Sequence, residues 1–415
     1  MKIVFAPDSF KDSLSAEMVA DILEKKAREF FPDCEMCKVP LADGDKGTIN
    51  ALLAILGGSR GSVCARDYRG EMAEVEYGVL GQDTMVIETA GLLWERETAD
   101  CSIPSKIMSS SSYGVGELIR FGLNKGYRKF YIGAGASVVN DGGMGCVQAL
   151  GARFYDSGGC LLEGSGENLS EIARIDTGEL DPRLKETSLT VMCAFNNTLT
   201  GDAGVTYTYG ARHGAAPEQL LQLEKGMRRL GILLEEIHGH PVCGQPGTGA
   251  GGGFPAALHA LCGARLTSGI STVLDLIGFE RIVEGASLVV VGEGIVNQSS
   301  IYGKAMAGIG MLCKAREIPV VAVVGSMEKG AEQLYHYGIH SMAACVNAVM
   351  EQTYVVENAE ELLAQAAERL FRLLIVGMKI QAGANCLADI QTQKYRKEEQ
   401  PKGIHWAVTP DESAV

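Results

Sequence analysis

The fold is decided by residues 287–325, "SLVVVGEGIVNQSSIYGKAMAGIGMLCKAREIPVVAVVG". Two valine-rich runs, 287–292 and 319–325, flank a segment that reads as a helix from about Lys304 to Arg316. A β-branched run that is apolar at successive positions, rather than alternate ones, suits a strand covered on both faces. The stretch therefore predicts a parallel β-α-β unit, and "SMAACV" at 341–346 extends it by another helix and strand. The N-terminus opens the same way. "KIVFAP" reads as a buried strand and "CEMCKVPL" as a second. Between them Ser13 or Ser15 can cap a helix whose apolar positions are Met18, Val19, Ile22, Leu23, Ala27 and Phe30.

The middle of the chain differs. From Gly61 to Glu88 apolar and polar residues alternate around glycine turns, as in an antiparallel meander. "KFYIGAGA" and "LTVMCAF" follow, each beside a helical segment. The expected fold class is α/β with two α/β domains. One is a Rossmann-like three-layer domain built from both chain ends (1–60 plus 271–380), and the other is an inserted mixed α/β domain (61–270). The ligand cleft is expected between them, and 381–415 is expected to be a polar tail.

At 415 residues the chain exceeds what one hydrophobic core normally serves. A net charge of -14, without a long Lys/Arg run, argues against nucleic-acid or anionic-membrane partners and favours a small molecule. The apolar N-terminal run is too short for a signal peptide, and no run approaches the ~20 residues of a membrane helix. The 12 cysteines, mostly isolated in apolar contexts such as Cys146, Cys262, Cys313 and Cys345, suit reduced thiols in a cytoplasm. Cys34 and Cys37 have redox or zinc spacing but lack a second pair, so ordinary thiols are expected.

The chemistry-bearing residues sit in glycine- and serine-rich loops. In "APDSFKDSLSA", Asp8, Ser9 and Lys11 stand between a strand and a helix N-terminus, where they could meet an anion or simply form a surface ion pair. "LADGDKGTINALL", 41–53, puts Asp43, Asp45 and Lys46 before an apolar helix, a design that presents charge to a ligand. Ser109, Ser110 and Ser111 precede another helix and could hold phosphate or end in a serine cap. In "GAGASVVNDGGMGCVQALGA", Ser137 and Asn140 lead to Asp141, which could complete a metal shell or cap a helix. Gly249 and Gly252 belong to a formal G-x-G-x-x-G, a weak dinucleotide signal because no strand precedes it. Glu293 hangs between glycines at a strand end, where open α/β sheets bind ligands.

In order along residues 1–380 these loops resemble the motifs of the type I glycerate kinases. "DSFKDSLSA" is similar to D-S-F-K-G-S-L-S-A, and "LADGDKGT" to A-D-G-G-E-G-T. "GASVVNDGGMGCVQALGA" is similar to G-S-A-T-N-D-G-G-x-G-x-x-Q-A-L-G-A, and "PGTGAGGG" to P-G-A-G-A-A-G-G. "GEGIVNQSSIYGKAMAG" is similar to G-E-G-R-I-D-x-Q-T-x-x-G-K-x-P-x-G. The resemblance implies transfer of phosphate from ATP, with Mg²⁺, to a hydroxyl of D-glycerate or a related hydroxy acid, with 2-phosphoglycerate favoured over 3-phosphoglycerate. It implies that Asp8, Asp43, Asp141 and Glu293 supply metal ligands or the base, with Asp43 and Glu293 as the Mg²⁺ pair, and that Lys11 and Lys304 meet phosphate or carboxylate. Ser9, Lys46, Ser109, Ser110, Ser111, Ser137, Asn140, Gly249, Gly252, Arg212, His213 and Asn297 fall in the implied substrate and phosphate loops. A second copy of the chain stands as a candidate partner.

The chain departs from those motifs. Lys46 replaces a glutamate, with Asp45 beside it in place of glycine. Ala194 stands at an aspartate, Arg212 and His213 at Gln-Lys, and Ile295 and Asn297 where the motif has arginine and aspartate. If each lost charge acted on the transition state, removing one would cost ~10²–10³ in rate. Three readings follow: a kinase of glycerate or a more acidic relative, a non-catalytic homologue that binds an acid or nucleotide, and a nicotinamide enzyme resting on the glycine pattern alone.

Overall fold

The computed structural model describes residues 1–10, 13–94, 106–301 and 304–383, with side chains to residue 380. In chain order its strands are β1 Lys2–Pro7, β2 Glu35–Lys38, β3 Ser59–Arg66, β4 Met72–Leu80, β5 Thr84–Glu88, β6 Lys129–Ala134, β7 Arg153–Tyr155, β8 Arg174–Asp176, β9 Ser188–Cys193, β10 Arg265–Ser268, β11 Leu288–Val296, β12 Val320–Met327 and β13 Ile339–Ala344.

Five of them form one parallel sheet in the order β13-β12-β11-β1-β2, so the two chain ends share a sheet. Its alternate side chains feed two different cores, as the period of 2 requires. Ile3, Phe5, Val290, Val321 and Val323 face the helices Ala16–Phe30 and Ala359–Gly383. Val4, Ala6, Val289, Val291, Val320 and Ala322 face the opposite layer. Both faces are covered, which explains the unbroken valine runs. Ser15 rather than Ser13 caps the first helix, accepting from the Met18 amide at 3.2 Å. The helix expected before β13 is a 3₁₀ turn, Ala331–Tyr337. The helix Ala359–Gly383 runs past residue 380, where the tail was expected to begin, and the rest of that tail lies outside the described residues.

The second sheet has the order β10-β9-β6-β5-β4-β3. Its β10, β9, β6 and β5 are parallel, and β3-β4-β5 is the antiparallel meander. Between the two sheets lie the helices Thr48–Leu56 and Gly269–Ile277. Their Ile49, Leu52, Ile270 and Val273 join Val289 and Val291 of the first sheet and Val86, Tyr131 and Met192 of the second in one continuous core. No helix among the described residues is long and apolar enough to cross a membrane.

Candidate active site

In the first sheet β1 leads outward to β2 on one side, while β11 lies on its other side. The strand order therefore reverses between β1 and β11, the kind of switch point at whose carboxyl edge open α/β sheets bind ligands. Asp8 follows β1 directly, its amide donating to the Gly292 carbonyl at 2.9 Å, and Glu293 lies on the neighbouring β11. Asp8 accepts from the Ser9 amide at 2.6 Å. Lys304, at the N-terminus of the helix Ala305–Lys314, forms an ion pair with Glu293 Oε1. Glu293 is buried, and its Oε2 has no hydrogen-bond partner.

Charge couples these groups. Burial holds the Asp8 carboxyl well above the usual range, and the negative charges of Asp43 and Glu293 push it further. Asp43 is pushed up to about 7, by burial first and then by Asp45, against the opposing charge of Lys304. Glu293 is also raised, because burial outweighs its lysine. In Lys304 the order reverses: burial would lower the ammonium, but Glu293, Asp43 and Asp8 together hold it above its ordinary value. Asp8, Asp43, Glu293 and Lys304 thus share one crevice. Among the described residues no three His, Cys, Asp or Glu are arranged to enclose a metal ion by themselves.

The loop that carries Asp43 is clamped from the second sheet. Gly44 has φ 95°, and a Cβ there would lie 2.7 Å from the Met192 carbonyl oxygen. A Cβ on Gly269 would lie 1.7 Å from the Asp43 carbonyl oxygen. The Asp45 carboxylate faces Gly135 and accepts from the Ala136 amide at 3.4 Å. Glu88 occupies the N-terminus of the helix that follows. From the end of β5, Glu88 accepts from the Ile49 amide at 2.6 Å and from the Gly47 amide. Lys46 is exposed and pairs with no acid among the described residues.

Several sequence candidates are hydrogen-bonded within the fold. Asp141 is fully buried and accepts from the Ser112 amide and hydroxyl, both at 2.8 Å, from the Gly143 amide at 2.9 Å and from the Gly145 amide at 3.1 Å. Burial raises its pKa against those bonds. With both oxygens engaged it ties the serine loop to the start of the helix Met144–Ala149. Ser110 turns inward to the Ile107 carbonyl at 2.8 Å, Ser109 reaches Lys106 at 3.3 Å, and Ser111 accepts from the Tyr113 amide at 3.3 Å. These serines close the turn that leads into the helix Tyr113–Lys125. Ser137 accepts from the Val139 amide, and Asn140 from the Thr206 hydroxyl.

The glycine run is packed as well. A Cβ on Gly252, at φ 81°, would stand 2.3 Å from the Val139 carbonyl oxygen, and one on Gly249 2.1 Å from that of Thr198. Close approach of loops therefore explains these glycines, and the dinucleotide pattern loses its support. Asn297 caps the turn Gln298–Ile301 and donates to Glu328 at 2.9 Å. Arg212 is exposed on the 3₁₀ turn Gly210–His213, and His213 packs edge-on to Trp94 at 5.6 Å. Lys11 lies outside the described residues.

A family model described as the glycerate kinase family matches residues 3–375. The chain belongs to that family. It is 34% identical over 372 residues to a glycerate kinase of Halalkalibacterium halodurans, covering 89% of this chain and 97% of the relative. It is also 34% identical over 383 residues to the glycerate 2-kinase of Escherichia coli, covering 91% and 99%. A solved structure described as a glycerate kinase 2 from Salmonella typhimurium LT2 superposes with a TM-score of 0.75 at 34% identity, over 91% of this chain and 99% of that one. For this member of the family, the altered Asp45 and Lys46 stand on the clamped loop and Arg212 on the turn Gly210–His213.

Glu88 and Ser112 were not among the residues named from the sequence. Ser112 was recoverable as the fourth serine of its run, immediately before the helix. Glu88 carries no local mark, since what distinguishes it is its contact with the distant amides of Gly47 and Ile49.

Proposed function

We propose that this chain transfers the terminal phosphoryl group of ATP to a hydroxyl of D-glycerate, giving 2-phosphoglycerate. The observation that carries this reading is the convergence of Asp8, Asp43, Glu293 and Lys304 at the strand-order reversal between β1 and β11. Phosphoryl transfer is mainly positioning and charge stabilisation, which such a cluster can provide.

Three carboxylates against one ammonium, with Glu293 Oε2 unpartnered, form a site that fits a divalent cation. Magnesium keeps waters and takes phosphate oxygens, so one or two carboxylates suffice and no full cage is needed. Glu293 and Asp43 would hold it, and when bound it neutralises charge between the terminal phosphates. Lys304, held beside Glu293, opposes the charge of the transferred group. Asp8 accepts the proton of the attacking hydroxyl. A buried, hydrogen-bonded carboxylate whose pKa is raised is a stronger base than a solvated one.

The test is turnover of D-glycerate with ATP and Mg²⁺, with the product identified by NMR. Wild type should form 2-phosphoglycerate, and Asp8→Asn should reduce kcat by ~10²–10⁴. Absence of ADP formation with glycerate and with a panel of hydroxy acids would leave the non-catalytic reading.

A further inference from the structure

We infer that His238 and His259 form a binding site for a divalent transition-metal ion of the zinc, nickel and copper class, where two helices that pack against the second sheet come to their ends. The site uses none of the residues of the carboxylate cluster and does not depend on the kinase reading.

Three of the chain's 7 histidines gather at this one place. His238 is the last residue of the helix Pro217–His238, and His259 lies in the last turn of the helix Phe254–Cys262. Their ring centres are 4.6 Å apart, and both rings are half-buried. His240 is exposed, with its ring centre 5.7 Å from that of His238. With metal–nitrogen bonds of about 2.0–2.1 Å, two imidazoles on one ion hold their ring centres roughly 4.5–6 Å apart, so His238 and His259 already have the spacing of a chelate.

Hydrogen bonds leave the ring nitrogens free to ligate. A carbonyl oxygen only accepts, so the 2.7 Å contact between His259 Nδ1 and the Ala264 carbonyl places the proton on Nδ1 and leaves Nε2 as a lone pair. The Ala260 carbonyl takes a hydrogen bond from the His238 ring, which again leaves one nitrogen open. Histidines that bind metals are anchored in this way, because the second N–H held by a carbonyl fixes the tautomer and the ring and makes the ligating nitrogen more basic. Both residues stand in the last turn of a helix, where the negative end of the dipole favours a cation. The chain beyond His240 is fixed too, since Glu235 accepts from the Val242 amide at 2.7 Å and the Cys243 amide at 2.8 Å. Among the described residues no three donors enclose an ion, so the site is a two-imidazole chelate completed by water. Imidazole suits zinc, nickel and copper, whereas magnesium demands oxygen ligands.

Without a metal the same contacts would be a stack of neutral rings at a helix junction.

The experiment titrates the untagged full chain with Ni²⁺ by calorimetry, in excess Mg²⁺ to compete for oxygen-ligand sites. Wild type should bind one Ni²⁺ per chain. His238→Ala and His259→Ala should each weaken binding by at least ~10–100-fold, the loss already expected when only a supporting partner of a metal ligand is removed. His240→Ala should weaken it less, and Glu293→Gln, at the carboxylate cluster, should leave it unchanged. A second measurement needs no variant: pulsed EPR of wild type loaded with Cu²⁺ should show coupling to the remote nitrogens of two imidazoles. No binding by wild type, undiminished affinity in His238→Ala or His259→Ala, or coupling to fewer than two imidazoles overturns the inference and leaves the stack of neutral rings.

Discussion

Lys304 lies against a glutamate that is 6% exposed and has one oxygen without a partner. Removing one member of a buried pair leaves an uncompensated charge, which costs about 3–5 kcal/mol when burial is complete and less here because the lysine keeps contact with water. Lys304→Met should therefore lower Tm by several degrees and reduce kcat/KM by ~10²–10³. Adding Glu293→Gln to it should restore most of the Tm but none of the activity. Calorimetric melting beside steady-state kinetics checks both, and a double variant that regains turnover would remove the pair from the chemistry. Glu293 could be singled out in the sequence because a carboxylate between glycines at the end of a valine run has little structural reason to be there. Asp141 looked equally chemical; Asp before a glycine turn serves either purpose, and the four donors around it are contacts that no local pattern shows.

At the scale of elements, the loop 43–48 depends on a partner from another strand. Glu88→Ala removes the acceptor of the Ile49 and Gly47 amides and should lower kcat ~10-fold or more, because Asp43 rides on that loop. Glu88→Gln should retain most of the activity. Its pH dependence has a defined sign: burial raises the Glu88 carboxyl above 4.5, against the pull of the two amides. The folded chain then binds that proton more tightly than the unfolded chain, so the associated stability is present below the unfolded value and lost as pH rises through the folded one. Glu88→Gln, locked in the neutral form, should melt at or slightly above wild type at pH 8, with the difference closing below about pH 4. A clear drop in Tm at pH 8 would mean that the amide bonds outweigh burial. Gly269→Ala, whose new methyl would meet the Asp43 carbonyl, should displace the same loop and weaken activity more than its small change in bulk suggests.

β1, β11 and β12 were legible because burial on both faces writes itself into consecutive residues. Glu88 was not, because its role depends on a contact 39 residues away that no local period encodes.

At the scale of the whole molecule, the return of the opening strand-helix alternation at residue 287 was enough to bring both chain ends into one sheet. The expected boundaries near 60 and 270 fall beside the start of β3 and the end of β10. What the sequence did not reveal is that the layer between the sheets is common property. Helix Thr48–Leu56 buries Ile49 and Leu52 against valines of one sheet and Val86, Tyr131 and Met192 of the other. An apolar helix shows how much it buries but not against which partner. If the two sheets share that core, neither can unfold without exposing the other. Leu52 is fully buried there, and Leu52→Ala should cost about 2–5 kcal/mol. Amides of β6 in one sheet and β12 in the other should then lose exchange protection by the same amount, in a single denaturant transition. Protection lost in only one sheet, or two resolved transitions, would show that the helix belongs to one half alone and that the carboxylate loop before it sits on a movable joint.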